Sequence, residues 1–121
     1  DIISDNIAKC KLYGNATVVT PCTTVVLEKT DETFSEKVIN RDNLLLTQTP
    51  QAFILNDILS AHKEAKEKGI TDSVASCSLY IELGRKVFYS VGDETNIKLT
   101  RPGDIQIFKA LLSTQKSEWM K

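Results

Sequence analysis

The sequence predicts an α/β domain in which helices and strands alternate along the chain and stack in layers. Three observations predict it. Apolar residues recur at helical spacing in separate stretches, β-branched runs stand between them, and single Gly and Pro residues punctuate the whole. At 121 residues and 41% hydrophobic content the chain fits one domain with a modest core.

The first element is a helix from Ile3 through Tyr13, with Ile3, Ile7 and Cys10 near helical spacing and Gly14 where a left-handed cap is wanted. ATVVT (16–20) and TTVVLE (23–28) are β-branched runs separated by Pro21, which cannot donate a ladder hydrogen bond, so they predict two strands or one bent strand. Lys37 to Asn40 and Leu44 to Thr47 again look extended after a polar cluster at 30–33. Residues from about 22 to 46 are therefore expected to form a hairpin-like β-arm, with so little core of its own that it should lie on another surface or another subunit.

After Pro50 the spacing predicts a helix with Ile54, Ile58, Leu59, Ala61 and Ala65 on one face, ending at Gly69. Thr71 or Asp72 is placed to cap a further helix carrying Val74, Cys77, Leu79, Ile81 and Leu83, with Gly84 as the stop. Lys86 to Val91 and NIKLT (96–100) read as strands. RPGD (101–104) opens a last helix in which Ile105, Phe108 and Leu112 share a face, and the polar tail after it is expected to fray. No internal repeat or low-complexity segment interrupts this order.

Fifteen basic residues face sixteen acidic ones for a net charge of -1, so there is no global positive field for nucleic acid or an anionic membrane. No apolar run approaches the roughly 20 residues that span a bilayer. The chain starts DIISDN, with neither an initiator Met nor a secretory signal, as a trimmed or cleaved chain would. Cys10, Cys22 and Cys77 are odd in number, widely spaced and lack a C-x-x-C pair, which argues against a zinc knuckle and a disulfide framework and for buried thiols in a reducing cytoplasm.

Any anion site must then be local, and three pieces carry suitable groups. Arg41 offers forked donors that match phosphate oxygens, or it is simply solvated or paired with Asp42. The QTPQ segment (48–51) reads as a turn just before a helix N-terminus, a place for an anion or an ordinary capping turn. Lys98, set mid-strand between Ile97 and Leu99, either snorkels to solvent at a sheet edge or is held toward a ligand.

RDNLLLTQTPQAF, TDS at 71–73, GRKVFYSVGD at 84–93 and NIKLTRPGDI at 96–105 resemble the second half of 2-C-methyl-D-erythritol 4-phosphate cytidylyltransferases and their ribitol-5-phosphate relatives. The resemblance runs nearly end to end. It implies that residues 1–121 are the C-terminal part of a single Rossmann-like nucleotidyltransferase domain with a protruding β-arm, joining a polyol phosphate to CTP and releasing pyrophosphate with magnesium. It also implies that Lys98 lies near the reacting phosphates and that Thr49, Arg41 and Thr24 bind the polyol phosphate. In the family a corresponding arm reaches across a two-fold dimer, so a homodimer is expected.

The resemblance further calls for a glycine-rich, basic loop for the CTP triphosphate and an aspartate for the metal. Gly14, Gly69, Gly84, Gly92 and Gly103 are scattered singly, so both are expected in a segment absent from this chain. IELG (81–84) and IFKALL (107–112) look closer to the ribitol branch, and TDS stands where the methylerythritol branch commonly has an Asp pair. Ribitol 5-phosphate is the favoured acceptor, with 2-C-methyl-D-erythritol 4-phosphate the alternative. A non-catalytic binding or assembly module is the alternative from outside enzymology.

Overall fold

In a computed structural model, which describes residues 1–119, the expected mixed α/β order is present. Helix α1 (Ile2–Tyr13) is followed by β1 (Asn15–Pro21), β2 (Val26–Glu28) and β3 (Lys37–Ile39). A 3-10 turn at Arg41–Asn43 then leads into β4 (Leu45–Phe53). Helices α2 (Leu55–Glu67) and α3 (Ser76–Glu82), strand β5 (Tyr89–Val91) and helix α4 (Pro102–Trp119) complete the order.

Helix α1 forms as its spacing predicts. Asp1 accepts from the Ser4 N–H as N-cap, and Gly14 closes the other end at φ 97°, a conformation that costs glycine little. Strand β1 is the centre of a three-stranded sheet ordered β4-β1-β5, antiparallel to β4 and parallel to β5. Its ATVV run is buried or nearly so, as a strand covered on both faces requires. Asn6 of α1 is buried and ties helix to sheet, its Nδ2 donating to the Ala16 carbonyl at 3.0 Å and to Ser90 Oγ at 2.8 Å. Each such bond leaves a costly unmet group if cut, about 1–3 kcal/mol when buried.

Beside the sheet, Ala61 and Ala65 of α2 meet Leu79 and Tyr80 of α3, with Phe53 and Ile58 against them. The Phe53 and Tyr80 rings meet edge-on, centroids 4.8 Å apart. Arg85 pairs with Glu64 at 2.8 Å and lies over the Tyr80 ring, closing the end of this cluster. All three cysteines are buried and free, as the spacing suggested.

Several expectations change. Leu44 to Thr47 does not belong to the arm, because β4 pairs with the central strand from Asn15↔Phe53 to Pro21↔Leu45. The arm is instead the short β2–β3 ribbon, registered Val26↔Ile39 to Glu28↔Lys37, and its base is closed where the Cys22 N–H meets the Leu44 carbonyl. QTPQ is strand rather than turn. It sits where the β1 register jumps between Thr17↔Gln51 and Val19↔Thr47, so Pro50 falls at an irregularity where its missing N–H breaks no ladder bond.

Neither Thr71 nor Asp72 caps α3. That helix begins at Ser76, and its Cys77 N–H is met by Gln51 Oε1 from β4 at 3.2 Å, a tertiary cap invisible to local sequence. Leu59, Val74 and Ile81, expected on buried faces, are exposed. The region 86–100 holds only the short strand β5, and NIKLT is irregular. The Thr95 N–H goes to the Asp93 carboxylate, and those of Asn96 and Ile97 go to the carbonyls of Asp93 and Thr95, so three successive amides are spent on local turns rather than on a ladder. Helix α4 extends through most of the tail expected to fray, and residues 120–121 of that tail lie outside the described residues.

Candidate active site

Strand β4 and the loop between β5 and α4 bring two of the singled-out segments together. Asn96 donates through Nδ2 to the Thr49 carbonyl at 2.8 Å and to Gln48 Oε1 at 3.2 Å. Gln48 in turn donates to the Asp93 carbonyl at 2.8 Å and accepts from the Asp93 N–H at 3.3 Å. Thr49, Pro50 and Asn96 form one side of an open cleft of about 570 Å³ whose other side is the start of α1 at Asp1, Ile2 and Ile3. Lys98 follows Asn96 by two residues and is exposed, and among the described residues its ammonium enters no ion pair.

The turn that carries Lys98 is held at both ends by carboxylates. Asp93 accepts from the hydroxyl and the N–H of Thr95, and these bonds hold its carboxyl below the usual carboxylate range. Asp104, three residues into α4, reaches back to the N–H groups of Thr100 at 2.9 Å and Arg101 at 2.8 Å, one arm of a capping box with Pro102 at the first helical position. Those two donors lower its pKa as well.

The sign of the consequence follows from linkage. A depressed folded-state pKa contributes stability that is present above the unfolded value and is lost as pH falls through the folded one. Asp104→Asn should therefore lower the thermal midpoint at neutral pH, and the gap from wild type should close as pH drops below about 4. Unfolding scans across that range check it. A gap that stays constant to acid pH would remove the carboxylate from the cap.

A second group lies at the base of the arm. Arg41 donates through Nη1 to the Thr23 carbonyl at 2.8 Å. Thr24 is the next residue and, like Arg41, is exposed. The 3-10 turn that presents Arg41 is capped by Asn40, whose Oδ1 accepts from the Asp42 N–H at 3.0 Å. A concavity of about 270 Å³ opens here at the base of the ribbon, lined by Val25, Val38, Ile39 and Arg41.

Thr49 and Asn96 thus share one locus, with Lys98 two residues beyond Asn96, and Thr24 and Arg41 lie at another, and among the described residues no hydrogen bond or ion pair joins the two loci. Lys98 sits on a loop and not mid-strand, so the choice between a strand-edge lysine and one held toward a ligand no longer arises in that form. Gln48, Asn96 and Asp93 were missed as a unit by sequence reasoning. Their one local signal is the D-x-T turn at 93–95, and the contacts with Gln48 span 45 and 48 residues of the chain. Among the described residues no three His, Cys, Asp or Glu side chains converge. No helix among them is long and apolar enough to cross a membrane.

Comparison with known proteins gives one consistent answer. The profile of the family described as 2-C-methyl-D-erythritol 4-phosphate cytidylyltransferase matches residues 1–114. A ribitol-5-phosphate cytidylyltransferase of Vibrio parahaemolyticus is 38% identical over 118 residues, 97% of this chain and 49% of the relative. A 2-C-methyl-D-erythritol 4-phosphate cytidylyltransferase of Geobacillus thermodenitrificans is 42% identical over 92 residues, 76% of this chain and 40% of the relative. Among solved structures, the 2-C-methyl-D-erythritol 4-phosphate cytidylyltransferase of Thermus thermophilus matches with a TM-score of 0.79 at 27% identity, covering 91% of this chain and 53% of that one. The chain spans about half the length of the curated relatives it matches.

Proposed function

Because the chain belongs to the 2-C-methyl-D-erythritol 4-phosphate cytidylyltransferase family, we propose that it supplies the acceptor-binding part of an enzyme that transfers CMP from CTP to a polyol phosphate. The observation that carries this reading is the bond from Asn96 to the Thr49 carbonyl, which sets the NIK and QTPQ segments side by side at one open cleft. Thr49 contacts the polyol phosphate, and Lys98 faces the phosphates that react. Thr24 and Arg41 serve the polyol phosphate of a partner subunit's site, in a homodimer. The ribbon that bears them supports this arrangement, since Val25, Leu27, Phe34 and Val38 are all exposed on it and leave apolar surface for a partner subunit to cover.

A phosphate oxygen of the acceptor attacks the α-phosphorus of CTP in line, and pyrophosphate leaves. The work is positioning and charge neutralisation, with no covalent protein intermediate. The Lys98 ammonium offsets negative charge that builds on the reacting phosphates, and the Arg41 guanidinium holds the acceptor through forked donors. Magnesium, when bound, would supply charge neutralisation at the triphosphate, and its carboxylate ligands are expected outside this chain. The loop that cradles the triphosphate belongs to a segment outside this chain, and the enzyme works in the cytoplasm.

Ribitol 5-phosphate is the favoured acceptor, in keeping with IELG at 81–84 and with the match of the Vibrio relative over 97% of this chain. The 42% identity to the Geobacillus enzyme favours the second acceptor, 2-C-methyl-D-erythritol 4-phosphate. Steady-state assays of the complete enzyme on both should give kcat/KM at least about tenfold higher for ribitol 5-phosphate. The reverse ratio would reassign the acceptor. This chain alone should form no CDP-polyol, and turnover by it would contradict the division of the site.

A further inference from the structure

Gln48 stands in β4 where residues 48–50 face the β1 irregularity, outside the paired positions of the ladder. Its carboxamide is used entirely on one loop: Nε2 donates to the Asp93 carbonyl, and Oε1 accepts from the Asp93 N–H and from Asn96 Nδ2. Donation to and acceptance from the same residue imitates a strand partner where no strand exists. The Gly92 N–H adds a bond to the Val19 carbonyl at 2.9 Å. Gly92 is also where the loop comes too close for any side chain, since a Cβ there would lie 2.3 Å from Gln48 Oε1 and 2.9 Å from the Val19 carbonyl oxygen.

We propose that Gln48 is a positioning residue for the transfer reaction, its carboxamide locking the Gly92–Lys98 loop onto β4 and thereby setting Lys98 relative to Thr49. This rests on the function proposed above. Gln48 is assigned a positioning and not a catalytic role, because each of its hydrogen bonds goes to the loop. It acts through Asn96, which bonds both Gln48 and the Thr49 carbonyl and lies two residues from Lys98. Two residues of chain reach at most about 7 Å, so the Lys98 backbone cannot stray far while Asn96 is held. Without the lock, the ammonium and the acceptor threonine would lose their fixed separation, and a misplacement of about 1 Å in such a site can cost about a hundred-fold in rate.

Gln48→Met keeps the length of the side chain and removes all three bonds. Asn96→Asp cuts the same link from the loop side with an isosteric group, and it serves if the first variant does not fold. In the complete enzyme two readouts are taken: amide exchange at Asp93, and steady-state kinetics with CTP and ribitol 5-phosphate. The expected result is Asp93 exchange faster by about tenfold or more, with kcat lower by about tenfold or more and KM for CTP within about twofold. A thermal midpoint close to wild type would accompany it.

Unchanged exchange in both variants would overturn the lock. Faster exchange with unchanged kcat would overturn the positioning role. Absence of turnover by the wild-type enzyme on either polyol phosphate would overturn the function itself and the positioning role with it, whereas an active wild type with unaffected variants rejects the role of Gln48 alone.

Discussion

Lys98→Ala in the complete enzyme should lower kcat by about a hundred-fold or more, the usual cost of removing one well-placed cation from a site that works by charge stabilisation. KM for the polyol phosphate should change little. Arg41→Ala should do the opposite, raising that KM while leaving kcat nearer wild type, because the guanidinium holds the acceptor in ground and transition states alike. The structure sharpens this contrast. Lys98 is exposed on a loop whose turns are formed by Asp93 and Asp104, so its truncation leaves the fold's hydrogen bonds in place. Arg41 gives one bond to the Thr23 carbonyl, so its loss also slackens the base of the ribbon. If both variants behave like wild type in steady-state assays, neither residue has the assigned role.

At acceptor concentrations well below the raised KM of Arg41→Ala, where both variants are nearly inactive, mixing them should recover activity that neither has alone. If a site takes Lys98 from one subunit and Arg41 from its partner, a mixed dimer contains one doubly damaged site and one intact site. With random exchange half the dimers are mixed, so about a quarter of wild-type activity returns. Sites built within one subunit would give only singly damaged sites in mixed dimers. Activity that stays at the level of the two parents after verified exchange would therefore reject the shared site. Recovery is expected because Thr24 and Arg41 stand on the arm's base and Thr49 and Asn96 at the main sheet, with no hydrogen bond or ion pair joining the two among the described residues.

Elements whose signals are local were legible in the sequence. Helix α1 needed only its apolar spacing and Gly14, and β1 only its β-branched run. What sequence reasoning misplaced depended on partners distant in the chain. Leu45 and Leu46 read as arm because nothing nearby shows that they face Pro21 and Thr20 across the main sheet. The start of α3 is set by Gln51, 26 residues before its bonded amide. NIKLT has a strand's composition, but its neighbours Asp93 and Asp104 draw off the flanking amides.

The candidate site divides the same way. Thr24, Arg41, Thr49 and Lys98 came from the family resemblance and not from periodicity, which had offered Arg41 and Lys98 only as one choice of two. The Gln48–Asp93–Asn96 group, joining residues 45 and 48 positions apart, became visible only in three dimensions.

The decisive measurement is product formation by the complete enzyme given CTP, magnesium and ribitol 5-phosphate, with pyrophosphate and CDP-ribitol followed together. The predicted result is equimolar appearance of the two products, dependent on the polyol phosphate. Intact CTP, with no CDP-polyol formed from either ribitol 5-phosphate or 2-C-methyl-D-erythritol 4-phosphate, would contradict it.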